Sequence, residues 1–516
     1  MNAPITPAPP APSAGKRHWE INPILVKELR QAVRNWTVTT ALLLLLLIFF
    51  FITAAFLLSE SASEIRSQSL GAEVFGTLMA ALFSITFSFL PLYVGIRLAW
   101  ERMPSSIDLF YITTLTPGRI IRGKLLSGIY LTILFFSVTM PFMAFTYLLR
   151  GVDLPTIFTL LLFLFLANVA IMQLAILVAA LPINRILKLI LALFFGCNCL
   201  LSILGIAVGT QFGGTLLPNV TSPDFWATSL SVIGIGLLLT GLAYTCSVAC
   251  VTPLAVNRAL PLRIYSTIAW FLGWVIAVIW TWKMGDSESL EAWLIGTLVF
   301  LTLALMVTLC ERDRRSIRVR QAIPQGRAKR FLSHFFYNGP DGGLAWCIVL
   351  GLLTLALYSG TARFWGPGTL ARISTTGELL PLIYTDVFLY LIAYALTALW
   401  LHRRFLGHLS AKFASTFFLL LPPLLFLIPA LFFFFINRLS WSAVEERQLG
   451  SLFNLFEDKV QREHLLEHFL FAIGWLLVMF LLNARWFIRQ TEDFKPYHPE
   501  EDEPMRYAGS PPPKLG

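Results

Sequence analysis

Residues 37–58 read TVTTALLLLLLIFFFITAAFLL, 22 consecutive positions without a charge. About 20 apolar residues cross a hydrocarbon core as a helix, so this run alone is long enough to span a bilayer. Further runs of the same kind lie at 74–98, 125–149, 155–182, 186–209, 226–251, 264–283, 292–310, 345–360, 379–401, 413–437 and 465–487. Together they predict an all-α polytopic membrane protein with about twelve spans. The weakest run is 345–360, which is short and closes at Ser359-Gly360. Only Pro182, Asn184, Arg185 and Lys188 separate the fourth span from the fifth.

Composition agrees with this reading. Of 516 residues, 57% are hydrophobic and 13% charged, and the mean hydropathy is +0.72. Soluble domains carry about 25% charged residues. The net charge of +10 does not point to nucleic acid, because the basic residues sit in short connections between apolar runs. With the N-terminus inside, 30 of the 39 Lys and Arg fall on the inner side. That asymmetry predicts an even number of spans with both termini in the cytoplasm. Residues 1–18, rich in Pro and Ala, and residues 490–516 are expected to be disordered tails. The first apolar run begins too late, and lacks a suitable small-residue cleavage site, for a secretory signal. Cys197, Cys199, Cys246, Cys250, Cys310 and Cys347 lie in or beside apolar runs and are read as packing residues.

Three inner segments stand out. In 20–36, Leu25, Leu29 and Val33 recur every four residues and Trp36 follows, while Lys27, Arg30, Gln31 and Arg34 take the other face. This predicts an amphipathic helix on the inner surface; the alternative is an ordinary basic flank of the first span. Segment 99–124 contains Ser105-Ser106, a helix cap signal, and Thr116-Pro117-Gly118, a turn or helix start. Two short helices are expected there. Segment 311–344 is the most basic, with Arg312, Arg314, Arg315, Arg318, Arg320, Arg327, Lys329 and Arg330, and it ends in a flexible turn at 338–343. Such a segment attracts anionic lipid at the inner face.

A faint internal echo links the halves. Glu101-Arg102 after span two matches Glu311-Arg312 after span eight, and Ser106-Ile107 matches Ser316-Ile317 at the same offset. Two six-span halves, 20–251 and 252–489, are therefore expected, the second a possible degenerate copy.

Several chemical motifs fail on their context. Residues 118–124 fit the first seven positions of a phosphate loop, but Leu125 stands where the magnesium-binding Ser or Thr belongs. His464-Leu465-Leu466-Glu467-His468 has inverted zinc-protease spacing without a third ligand placed after it. An outer amphipathic helix over 443–464 is the expected context. No cofactor, metal or catalytic residue is assigned. Asp386 lies inside span ten. A carboxylate there is expensive, so it is a candidate functional acid; otherwise it lies near the outer interface or bonds Tyr384 or Tyr390. Asn168, Gln173 and Asn198 are expected to link helices by hydrogen bonds.

The run Asn22-Pro23-Ile24-Leu25-Val26-Lys27-Glu28-Leu29-Arg30-Gln31 resembles the opening of bacterial ABC-2 type transporter permeases. So do Glu101, then Leu115-Thr116-Pro117, then Gly123-Lys124-Leu125-Leu126 entering span three. Pro141-Phe142 and Leu149-Arg150-Gly151-Val152 fit the end of that span in the family. The resemblance covers about 20–250; Asn257 to Arg263 looks like a feature of larger bacterial relatives. It implies a non-enzymatic export permease of the bacterial inner membrane, energised by a separate ATP-binding cassette ATPase subunit. It also implies that Lys27, Glu28, Arg30, Glu101, Asp108, Thr116, Pro117, Gly123 and Lys124 couple to that partner. Whether the chain forms a homo-dimer or an intramolecular pseudo-dimer stays open. The alternatives are a twelve-span secondary transporter driven by an ion gradient, and a membrane scaffold or envelope-metabolism protein.

Overall fold

The computed structural model describes residues 23–61, 70–101, 116–149, 152–181, 220, 222–253, 255–285, 287–365, 375–407, 412–437, 449–456 and 464–497. Among these the regular structure is helical, without strands. The chain divides into two compact units, Met1–Val251 and Thr252–Gly516.

The first unit contains α1 (Pro23–Val33), α2 (Trp36–Ser61), α3 (Leu70–Glu101), α4 (Pro117–Leu148), α5 (Leu154–Ala180) and α6 (Pro223–Val251). α3 packs on α2, α4 and α5, while α6 packs on α5 and α4. α3 and α4 have 32 residues each. At about 1.5 Å per residue each is about 48 Å long, well beyond a hydrocarbon core of about 30 Å. Their ends therefore reach past the apolar layer, which is where their charged residues sit. α2 turns Leu43, Leu44, Leu47, Phe50 and Phe51 outward. Such a continuous exposed apolar face belongs against lipid.

The second unit contains α7 (Ala259–Met284), α8 (Glu288–Leu309), α9 (Ile317–Gln321), α10 (Arg327–His334), α11 (Pro340–Trp365), α12 (Thr375–Phe405), α13 (Lys412–Asn437), a 3-10 turn (Phe453–Phe456) and α14 (Leu465–Asp493). α8 packs on α7, α11 and α12, while α14 packs on α12 and α11. Most neighbour pairs match the first unit, with α7, α8, α11, α12 and α14 in the places of α2, α3, α4, α5 and α6; the α2–α4 packing has no comparable α7–α11 packing, and α13 has no described counterpart. α12 is the enclosed centre of this unit, against α8, α11, α13, α14 and the 3-10 turn.

Ten described helices are long and apolar enough to cross a membrane. Phe413–Ile428, within α13, is a shorter apolar stretch. The expected span at 186–209 lies outside the described residues, as do residues 1–18 and 498–516. Residues 490–497, expected to belong to the disordered tail, are instead folded: α14 runs to Asp493, and Gln490 and Phe494 are buried.

Four other expectations change. The expected short second helix before span three is the first two turns of α4, because Pro117 starts a helix that runs unbroken to Leu148; the first lies outside the described residues. The weak span at 345–360 is part of a 26-residue helix, since Gly360 inside a packed helix does not terminate it. A continuous helix over 443–464 is excluded by the turn at Leu449-Gly450, where Gly450 takes φ +92°. That conformation is left-handed and favours glycine.

The fourth change concerns the flexible turn expected at 338–343, at the end of the basic 311–344 segment, which is held in place by buried charges. Arg263 bonds Glu311 at 2.7 Å and donates to the carbonyls of Phe335 and Tyr337 at 3.0 and 2.8 Å. Arg315 grips both oxygens of Asp341, at 2.8 and 2.6 Å. The 338–343 segment is thereby fixed, and Pro340 to Gly343 form the first turn of α11. Burial holds the Glu311 carboxyl above the usual carboxylate range despite the pull of Arg263. His334, 3.5 Å from Asp341, is held below the ordinary histidine value. Burial is the largest cause there. The cations Arg315 and Arg263 add to it, and Asp341 opposes it.

Two outcomes follow from this packing. A Cβ on Gly351 would lie 2.2 Å from the Phe388 ring, so Gly351→Val should overpack the α11–α12 contact and cost about 1–3 kcal/mol in chemical or thermal unfolding. Stability from keeping His334 neutral is complete above about pH 6.5, the ordinary histidine value, and is lost as the pH falls through the lower folded-state value. The melting temperature should drop on acidification through this range, and His334→Gln should shrink the drop.

Candidate functional site

The site starts from the way α1 is held. Its amphipathic pattern places Leu25, Leu29 and Val33 on one face and Lys27, Arg30, Gln31 and Arg34 on the other. Packing within the first unit buries Leu25, Glu28 and Ala32. Val33 is 77% exposed and Trp36 78%, as residues that meet a membrane surface would be. The face packed on the protein turns Glu28 towards α4. The reason is electrostatic: Lys124 on α4 has an Nζ 2.6 Å from Glu28 Oε1.

Lys124 is 1% exposed. An ammonium buried this deeply needs close anionic partners to stay charged. It has two, because Glu101 Oε2, at the end of α3, lies 2.7 Å from the same Nζ. Glu101 Oε1 receives Lys27 of α1 at 3.3 Å. Glu28 Oε2 faces Arg97 Nε of α3 at 3.6 Å. Arg97 also donates to the Tyr93 hydroxyl at 2.8 Å and to the Gln31 side chain. Three cations and two carboxylates thus join α1, α3 and α4 in one ionic knot.

The surrounding backbone is fixed as well. Asn35 Oδ1 accepts the Thr37 N–H at 3.1 Å and caps α2, which sets the α1–α2 corner. Tyr244 of α6 donates to the Gly118 carbonyl at 3.3 Å, near the start of α4. Gly118 to Lys124 is helical. Its amides from Ile121 onward belong to the helix ladder and cannot wrap a phosphate.

Of the residues the resemblance implied, Lys27, Glu28, Glu101 and Lys124 come together. Gly123 is buried beside Lys124. Thr116 and Pro117 form the start of α4, and the Thr116 hydroxyl makes no capping bond. Arg30 is exposed on α1. Asp108 lies outside the described residues. Arg97 was missed, yet the sequence carries its signal. It is the only basic residue within span two and stands four positions before Glu101, so both lie on one helix face.

Elsewhere, Gln173 donates to Ser247 at 3.1 Å and links α5 to α6. Neither side-chain polar atom of buried Asn168 has a partner, so it forms no such link, and Asn198 lies outside the described residues. Cys347 is buried, and Cys246, Cys250 and Cys310 are partly buried, each as a thiol outside any disulfide; Cys197 and Cys199 are outside the described residues. Asp386 is 1% exposed within α12. Its Oδ2 has no hydrogen-bond partner, because the Tyr384 hydroxyl donates to Gly351 and the Tyr390 hydroxyl meets His468. The expectation that Asp386 bonds Tyr384 or Tyr390 is therefore corrected: it is a buried acid with one oxygen unsatisfied.

Removing one member of a buried ion pair strands its partner and costs about 3–5 kcal/mol. Lys124→Ala should destabilise the purified chain by that order. Lys27, whose side chain is 54% exposed, forms a solvated pair, and Lys27→Ala should cost less than about 1 kcal/mol in the same unfolding measurement.

No family model, curated protein or solved structure matches this chain. Its sequence and its apolar helices define it as a polytopic helical membrane protein.

Proposed function

We propose that this chain is the membrane-spanning permease subunit of an ABC-2 type transporter, an exporter of the bacterial cytoplasmic membrane energised by a separate ATPase subunit. The observation that carries the reading is the ionic knot. It ties α1, which presents Lys27, Arg30 and Arg34, to two membrane helices through buried charges. A short helix clamped in this way moves as one body with α3 and α4. Pressure from a partner on α1 would tilt those helices rather than bend a loop. Chemical energy would come from the partner. The exposed basic residues of α1 and of 311–344 would also meet anionic lipid headgroups.

The largely matching neighbour pairs of the two units support reading the second as a worn copy of the first, so that one chain acts as a pseudo-dimer. Glu101 and Glu311 stand at equivalent helix ends in this scheme. A gradient-driven secondary transporter is the second reading, and buried Asp386 is the observation in its favour.

Arg30 makes a clean test because it is exposed and stands outside the knot. Arg30→Glu should leave folding unchanged but weaken co-purification with an ATPase encoded beside this gene by about tenfold or more, the usual effect of reversing an interfacial charge. Capture at wild-type levels would count against the reading. So would transport by the purified chain in an ion gradient without ATP.

A further inference from the structure

The second unit has polar groups at both ends. At one end lie Glu311, Arg315 and Asp341, together with Arg403, which donates to Asn483 of α14 at 2.6 Å. Asp386 is 17 residues before Arg403 on α12, about 25 Å along the axis and so towards the other end.

A connected polar cluster surrounds that end. One turn on from Asp386, the Tyr390 hydroxyl lies 3.0 Å from His468 Nδ1 on α14 and accepts the Gly450 N–H at 3.2 Å. Tyr394 donates to the Gly450 carbonyl at 2.8 Å and accepts the Leu452 N–H at 3.1 Å. The chain at 450–456 folds inward over the cluster, and Ser451 and Leu455 are fully buried. His468 is also fully buried.

Three polar atoms in this cluster have no partner: Asp386 Oδ2, His468 Nε2 and Ser451 Oγ. When Tyr390 donates to Nδ1, Nε2 carries the imidazole proton; when Nδ1–H donates to Tyr390, Nε2 is an acceptor. The unfilled capacity is one carboxylate acceptor, one imidazole nitrogen and one hydroxyl. Each buried polar atom without a partner calls for an explanation, such as a bound proton, ion or ordered water.

Charge narrows the choice. The titratable side chains on the elements packed here are Tyr384, Tyr390 and Tyr394 on α12, and His464, Glu467 and His468 on α14. Glu378 lies in the first turn of α12, and Tyr358 and Arg363 on α11 and Glu288 and Glu291 on α8 are the others on described helices at this end. α13 carries none from Phe413 to Asn437. Arg363 is exposed, and Glu291 accepts from Ser287 at 2.6 Å. Among the described residues no cation pairs with Asp386, so with Asp386 ionised and His468 neutral the described cluster would hold a net negative charge inside a membrane helix bundle, which is strongly disfavoured. One added proton gives a neutral cluster, either as carboxylic acid with imidazole or as carboxylate with imidazolium.

We propose that Asp386, His468 and Tyr390 form an intramembrane proton-binding site that holds one proton at neutral pH. The proposal does not rest on the ATPase-coupling reading, and either can fail without the other.

Infrared spectroscopy of the full chain in lipid nanodiscs, titrated from about pH 5 to about pH 9 across the ordinary histidine range, tests it. A protonated-carboxyl band should be present at neutral pH and lost in Asp386→Asn. His468→Gln should move the pH at which the band titrates, a change that a merely structural role would not produce. Asp386→Glu keeps a carboxyl, so its band should persist at a shifted frequency even if the Asn variant fails to fold. The proposal is overturned if the neutral-pH band survives unchanged in Asp386→Asn or Asp386→Glu. It is also overturned if added sodium or potassium, rather than pH, governs the band.

Discussion

A lysine ammonium removed from water loses several kcal/mol of hydration, and only close, well-placed anions restore it. In the first unit Lys124 is that ammonium, and Glu28 and Glu101 are those anions, at 2.6 and 2.7 Å. The three residues come from three helices, so none can move far without exposing a buried charge. The orientation of α1, with Glu28 on its packed face, and the placement of Arg97 both accommodate this contact. An all-apolar contact would have tolerated sliding; a buried charge with fixed partners does not.

The second unit meets a similar constraint with different residues. Glu311 follows α8 as Glu101 ends α3, but its cation, Arg263, comes from the preceding helix α7. Arginine also donates to backbone carbonyls at Phe335 and Tyr337, so it holds the 335–339 turn as well as a carboxylate. Its planar fork suits that role, whereas the compact ammonium of Lys124 suits a site between two carboxylates. The two units share most of their packing order while each closes its charged end by its own chemistry.

The fold class was legible because a membrane helix is specified by length and hydropathy alone. A run such as 37–58 has no other stable outcome in lipid, where every backbone polar group must be bonded within the segment. The knot was legible in part. Lys27, Glu28, Glu101 and Lys124 stood out by resemblance, but not as mutual partners, because Glu28 and Lys124 are 96 positions apart. The partner of Glu28 was hidden for the same reason. Periodicity marks the apolar face of a surface helix, but it does not show which carboxylate a distant cation will bury.

The sequence by itself determined that the chain crosses a membrane repeatedly as helices and which segments are apolar enough to do so. Tertiary structure alone decided which charges are buried, since burial depends on what packs opposite. It placed Glu28 against Lys124 and folded the basic 311–344 segment around Arg263 and Arg315. It also left Asp386 with an unpaired oxygen within α12, because the tyrosines nearest in sequence spend their hydroxyls on Gly351, His468 and Gly450. Hydropathy is a local property of the chain. Charge pairing is a property of distance in space.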